Sequence, residues 1–297
     1  MRASLPPNAN FLGLETSDSD PLSAGIIILT APFEQTSTFG TGSSNGPDAI
    51  LEASQQVELF DVLLGFEIYK KVSGIATLEP IICENIHQLF TELENETTYW
   101  LQKNKFVVTV GGEHTSIVGA VKAHSRFYEP LTVIQFDAHS DLRDEYQGNP
   151  WSHACAVRRI LDFHADVVQV GIRSQAMEER AFTDTQNIPV FYAHEIHEND
   201  AAGVDWIDAL IKLCKNNVYV TLDCDVFDPS VIPATGTPEP GGLTWNQMNR
   251  LFKRLVKERR LVGLDISELS PIENLVFPQF TVSKFIYRIL GLWVNQH

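Results

Sequence analysis

Short apolar runs recur along the chain and stop abruptly at polar residues. GIIIL (25–29), KFVVTV (105–110), LTVIQFD (131–137), VVQVGI (167–172), NVYVTLD (217–223) and LVGLDIS (261–267) carry apolar side chains in both alternating registers. That is the pattern of strands buried on both faces, as a parallel sheet requires. Between them, helical spacing marks 47–56, 87–103, 115–125, 153–163, 203–215 and 279–292. A further helix carries Trp245, Met248, Leu251, Phe252, Leu255 and Val256 as one stripe, with Lys253, Lys257 and Arg259 set among them. Such a stripe is core packing and not a cofactor site. Strand and helix alternate from near the start to the end, which predicts an α/β fold: a three-layer α/β/α sandwich with a mainly parallel sheet. Nothing marks a linker. GTGSSNGP (40–47) ends at a helix start and reads as a loop, so a single domain over 1–297 is expected.

Charge narrows the partners. The 297 residues carry a formal net charge of −16 and a pI near 4.9, which argues against nucleic acid or an anionic membrane and favours cationic small molecules or metal ions. Cys83, Cys155, Cys214 and Cys224 lack CxxC spacing, and no leader pattern opens the chain, so a reduced, cytoplasmic protein is expected. Without secretion the acceptor pattern at Asn95 carries no meaning. No apolar run reaches the ~18 residues of a membrane span.

The chemistry gathers where strands end. In an open parallel sheet, ligands bind beyond the carboxyl ends of the strands. There the chain reads GGEHT (111–115), DAHSD (137–141), DCDVFDPS (223–230) and SELSP (267–271). Asp137 and His139 stand at i and i+2, which on a strand turns both to one side, ~6–7 Å apart, and Asp223 and Asp225 repeat the spacing. Adding His114 and Asp141 gives four carboxylates and two imidazoles. One Asp at a strand end is usually a cap or turn residue. Several converging carboxylates would repel one another and would cost several kcal/mol each if desolvated unpaired, so a metal centre explains them better. Oxygen and nitrogen donors without thiolate fit two five- or six-coordinate divalent ions such as Mn²⁺ better than tetrahedral zinc. If two carboxylates bridge, the ions sit ~3.5–4 Å apart and share a hydroxide. Glu268 adds a negative charge that suits a bound cation. Cys155 and Cys224 read as small buried apolar residues.

Taken in order, these segments resemble the ureohydrolase family of arginases, agmatinases, guanidinobutyrases and formiminoglutamases. The resemblance covers nearly the whole chain, from FEQTSTFGTGSSNGPDAI (33–50) through FDAHSDLRDEYQGNPWSHA, DCDVFDPSVIPATGTPEPGGL and GLDISEL to FTVSKFIYRILGL. It implies that His114, Asp137, Asp141 and Asp223 bind one Mn²⁺ and that Asp137, His139, Asp223 and Asp225 bind the other, with Asp137 and Asp223 bridging; Ni²⁺ can occupy such a set. It further implies that Asp141 and His153 handle protons, that Glu268 binds the guanidinium, and that the chain assembles as a homo-oligomer, a trimer or hexamer. The products would be urea and an amine.

Substrate choice rests on departures from the arginase pattern. Ala176, in GIRSQAME, stands where arginases place an aspartate for the substrate amino-acid end, and DLRDEY resembles agmatinases. Agmatine is therefore the expected substrate, giving putrescine. Arg143 leaves guanidinobutyrate open, unless it pairs with Asp144 or Glu145. Guanidine, arginine and formiminoglutamate are further alternatives, and a catalytically silent metal-binding assembly subunit is the reading from another class. Asp144, Glu145, Glu178 and Glu179 are candidates for holding the distal amine. His194 and His197, in YAHEIHE, are expected in a polar stretch before a helix start, with a surface or packing role. His87, His124, His164 and His297 lack motif company.

Overall fold

A computed structural model describes residues 2–163 and 166–295, so His164 and His297 lie outside the described residues. Eight strands form the main sheet: β1 (Ile26–Ala31), β2 (Ile75–Thr77), β3 (Phe106–Gly111), β4 (Leu131–Phe136), β5 (Asp166–Ile172), β6 (Val190–Tyr192), β7 (Asn217–Asp223) and β8 (Arg260–Ser267). Their order is β2-β1-β3-β8-β7-β4-β5-β6, and every neighbouring pair is parallel. The expected strands are all present. Two three-residue edge strands, β2 and β6, were not foreseen, because so short a run carries little periodicity.

Alternation along each strand sorts side chains into two layers. In β1, Ile26 and Ile28 enter one buried cluster and Ile27 and Leu29 another. The first cluster is closed by helices Gly46–Ser54, Ala193–Ala202, Trp206–Leu213, Trp245–Glu258 and Phe277–Val294. Helices Ile86–Gln102, Val118–Phe127 and Ala156–Leu161 close the other face, which gives three layers. The foreseen stripe at 245–256 behaves as core: Met248, Leu251, Phe252, Leu255 and Val256 are buried. Its start is set by Thr244, whose Oγ1 accepts the Gln247 N–H while the Gln247 Oε1 accepts the Thr244 N–H.

The expected helix over 203–215 begins later. Gly203 adopts φ 73° and ends the preceding helix, and Asp205 caps the next by accepting the Asp208 N–H at 3.2 Å. His194 and His197 accordingly lie inside helix Ala193–Ala202 and not before one. The His197 Nε2 contacts the Gly241 carbonyl at 3.1 Å, a packing role.

Candidate metal centre

The carboxyl ends of β3, β4, β7 and β8 lie side by side in the sheet, which brings their polar segments together. Nδ1 of His114 lies 3.2 Å from Asp137 Oδ2, 3.0 Å from Asp141 Oδ2 and 3.7 Å from Asp223 Oδ2. Nδ1 of His139 lies 2.8 Å from Asp225 Oδ2 and 3.7 Å from Asp137 Oδ1. Two donor groups result, His114–Asp137–Asp141 and Asp137–His139–Asp225, each with its atoms within 4.8 Å of one another. Asp137 turns one oxygen to each. Asp223 reaches the first group by Oδ2, while its Oδ1 accepts the Asp225 N–H at 2.8 Å.

All six residues expected as ligands are therefore brought to one place, and protons reveal the strain of the assembly. Burial, then Asp225 and Asp141, push Asp137 up to about 7. Asp223 rises well above the usual carboxylate range for the same reasons, burial first and then Asp225 and Asp137. Burial opposes charge on His139, but the attraction of Asp225 prevails and raises it to about 10. His114 likewise rises well above its ordinary value: burial opposes its charge, and Asp137 and Asp141 overcome it. Burial also opposes ionisation of Asp225, yet His139 draws it down to about 2. Carboxylates that must share protons in this way form a donor set suited to cations.

Asp141 and Glu268 hold left-handed backbone, φ 52° and 61°. For non-glycine residues this costs about 1–3 kcal/mol each, and it persists where surrounding bonds enforce it. Here the Glu268 N–H donates to the Gly112 carbonyl at 2.8 Å, and the Asp141 carbonyl accepts the Arg158 N–H at 3.0 Å. The Glu268 Oε1 accepts the His114 N–H at 2.7 Å, which ties it to the ligand loop without making it a member of either donor group. Burial pushes Glu268 up to about 8. Glu268, Asp141, His153, Asp223 and Asp225 line one cavity of about 320 Å³.

Arg143, which also lines that cavity, is occupied. Its guanidinium pairs with Glu178 at 2.6 Å and lies 5.1 Å above the Tyr146 ring, instead of pairing with Asp144 or Glu145. Asp144 pairs with Arg158 and Arg159, and neither it nor Glu145 or Glu178 lines the cavity. Glu179 does, but its two oxygens accept the Leu142 and Ala176 N–H groups. One acidic residue was missed: Glu239, whose Oε1 lies 3.9 Å from His139 Nε2.

Beneath the ligands runs a buried polar row also missed in the sequence. Asp265, Thr221, Gln135 and Gln169 are register neighbours on β8, β7, β4 and β5. Gln135 donates to Asp137 Oδ2 at 2.8 Å and accepts from Gln169 at 2.6 Å. Thr221 Oγ1 lies 2.9 Å from His114 Nε2 and donates to Asp265 Oδ1 at 2.8 Å. If Nδ1 of His114 serves a metal, Nε2–H donates to Thr221, the usual second support of a ligating histidine. The signal was present: a polar residue interrupts each of these apolar runs.

Comparison with known proteins follows the same lines. A model of the arginase family matches residues 24–289. An N(1)-aminopropylagmatine ureohydrolase from Synechocystis is 36% identical over 278 residues, covering 91% of this chain and 89% of that protein. An agmatinase from Pyrococcus horikoshii is 31% identical, covering 94% and 95%. The crystal structure of an agmatine ureohydrolase from Thermoplasma volcanium superposes with a TM-score of 0.84 at 29% identity, over 93% and 92% of the two chains.

Proposed function

The chain belongs to the arginase family, and from that premise we propose that it hydrolyses the guanidino group of agmatine to putrescine and urea. It is a ureohydrolase, a hydrolase of guanidino compounds; agmatine is the finer reading. The donor set of four carboxylates and two imidazoles fits two divalent ions, best Mn²⁺ with Ni²⁺ as the alternative. His114, Asp137, Asp141 and Asp223 would hold one and Asp137, His139, Asp223 and Asp225 the other. Bound there, the ions would lower the pKa of water and make a nucleophile available at neutral pH.

The protein side chains supply the rest. Glu268, fixed through Oε1 to the His114 N–H, offers its other oxygen to a guanidinium and orients it over the donor groups. Asp141 faces the same cavity and takes the proton that the nucleophile gives up. His153, on the cavity wall, returns a proton to the departing amine, which must leave protonated.

The state of Arg143 carries the substrate reading. With Glu178 and Tyr146 holding it, no free Lys or Arg lines the cavity among the described residues, and Ala176 offers no acid for an amino-acid end. A tail bearing only an amine is the chemistry left. A second reading, N(1)-aminopropylagmatine, is favoured by the name of the Synechocystis relative. Its products would be spermidine and urea.

Steady-state urea release from agmatine, N(1)-aminopropylagmatine, arginine, 4-guanidinobutyrate and guanidine, at one Mn²⁺ concentration, decides the matter. An unpaired buried charge costs a few kcal/mol, so kcat/KM for the preferred amine should exceed that for arginine by about 10²–10⁴-fold. A preference for guanidinobutyrate would refute the amine reading and point to Arg143 as its carboxylate partner. No urea from any of the five would refute the activity.

A further inference from the structure

His153 is held from behind by groups that the reaction has not yet used. The loop after β1 lies against the turn after β3: the Gly112 N–H donates to the Ala31 carbonyl and the Glu113 N–H to the Phe33 carbonyl, both at 2.9 Å. A Cβ on Gly112 would meet the Phe33 carbonyl oxygen at 2.2 Å, so only glycine permits this approach. In return, Glu113 Oε2 accepts the N–H groups of Gln35 at 2.9 Å and Thr36 at 2.7 Å. Glu113 is completely buried, and its Oε1 has no partner among the described residues. A carboxylate sealed in this way needs a reason.

The far side of Thr36 supplies it. Thr36 Oγ1 accepts the His153 backbone N–H at 2.9 Å and lies 3.2 Å from His153 Nδ1. Glu113 therefore fixes Thr36 through its backbone N–H, and Thr36 Oγ1 in turn holds the backbone N–H of His153. One lone pair of Oγ1 takes that N–H and its other contact is with Nδ1, which leaves Nε2 as the ring nitrogen not engaged by Thr36. The Ser152 hydroxyl lies near the same nitrogen, but at 3.3 Å. Tyr146 packs edge-on to the imidazole, with ring centres 6.0 Å apart, and limits its rotation.

We propose that Glu113 and Thr36 form a buried relay that positions the His153 imidazole: Glu113 fixes the Thr36 backbone, Thr36 Oγ1 anchors the His153 N–H and Nδ1, and Nε2 is turned to the cavity to relay to the departing amine the proton that Asp141 received. Neither residue touches substrate; both act through His153. The relay rests on the reading of His153 given above.

A double-mutant cycle on Mn²⁺-loaded enzyme with agmatine tests it. Thr36→Val should lower kcat about tenfold, within the ~10²–10⁴-fold that a positioned proton donor contributes, and leave KM within about twofold. Thr36→Ser should restore most of the loss. In a His153→Asn background, Thr36→Val should change kcat by less than about twofold, because the group it positions is gone. A tenfold loss in that background would mean that Thr36 is structural, and would overturn the relay. Nitrogen-15 NMR of histidine-labelled, Mg²⁺-loaded protein gives a second readout independent of turnover. A His153 Nδ1 resonance shifted by hydrogen bonding that returns to the free value in Thr36→Val upholds the relay; an Nδ1 resonance that Thr36→Val leaves unchanged overturns it. Unchanged kcat in His153→Asn alone would instead sink the proton-transfer role, leaving the NMR result to judge the positioning.

Discussion

Glu268→Gln should lower kcat/KM for agmatine by roughly 10²–10³-fold while leaving both metals bound, the loss expected when one member of a desolvated charge pair is removed. The substitution keeps the shape of the side chain and its amide can still meet a guanidinium edge, but the negative charge that offsets the cation is lost. Metal retention follows from geometry. Glu268 belongs to neither donor group and reaches the His114 loop only through the backbone N–H of that residue. Metal analysis of the purified variant, read beside its kinetics, separates the two functions. Turnover equal to that of the unsubstituted enzyme would make Glu268 a structural residue that fixes the His114 loop. Loss of metal together with activity would place it among the ligands.

The sheet and the candidate ligands were legible for the same reason: both follow from local pattern. Continuous apolar runs announce strands buried on both faces, and polar residues at the ends of such runs fall at the edge where parallel sheets bind ligands. Six candidate ligands could be named because each follows an apolar run that ends at this edge; their sides, however, are set beyond the strands, since β4 stops at Phe136 and Asp225 lies in the turn Cys224–Val226, where the His139 and Asp225 N–H groups bond Asp137 and Asp223. What stayed hidden depends on register between strands distant in sequence. Nothing local says that Asp265 lies beside Thr221, or Thr221 beside Gln135. Nor does DLRDEY reveal that Arg143 reaches Glu178, 35 residues away, in preference to its neighbours Asp144 and Glu145. Thr36 and Glu113 share that obscurity: they are 77 residues apart and meet only because the loops after β1 and β3 lie together.

Stripping the metal should cost the protein stability as well as activity, and the cost should grow with pH. Without cations the centre is held by protons. Asp137 is raised from 3.8 to about 7 and His139 from 6.5 to about 10, with Asp223 and His114 displaced upward as well. A group whose pKa is higher in the folded state contributes stability below its unfolded value and loses that contribution as pH rises through the folded one. The contribution of Asp137 therefore fades between about 4 and 7 and that of His139 between 6.5 and about 10. Asp225, drawn down to about 2, behaves oppositely, but its contribution is lost only under strong acid. Metal-free protein should thus melt at lower temperature at pH 8.5 than at pH 6. The loaded protein should follow the reverse trend at the site, because ligands must shed protons to bind metal and affinity rises with pH. At metal about 100-fold above Kd the gain is ~2.7 kcal/mol, a shift of about 4 °C for a chain of 297 residues. Melting curves of chelated and Mn²⁺-loaded protein at both pH values provide the comparison. A gap that stays constant or narrows at pH 8.5 would show that protons and metal do not compete for these residues.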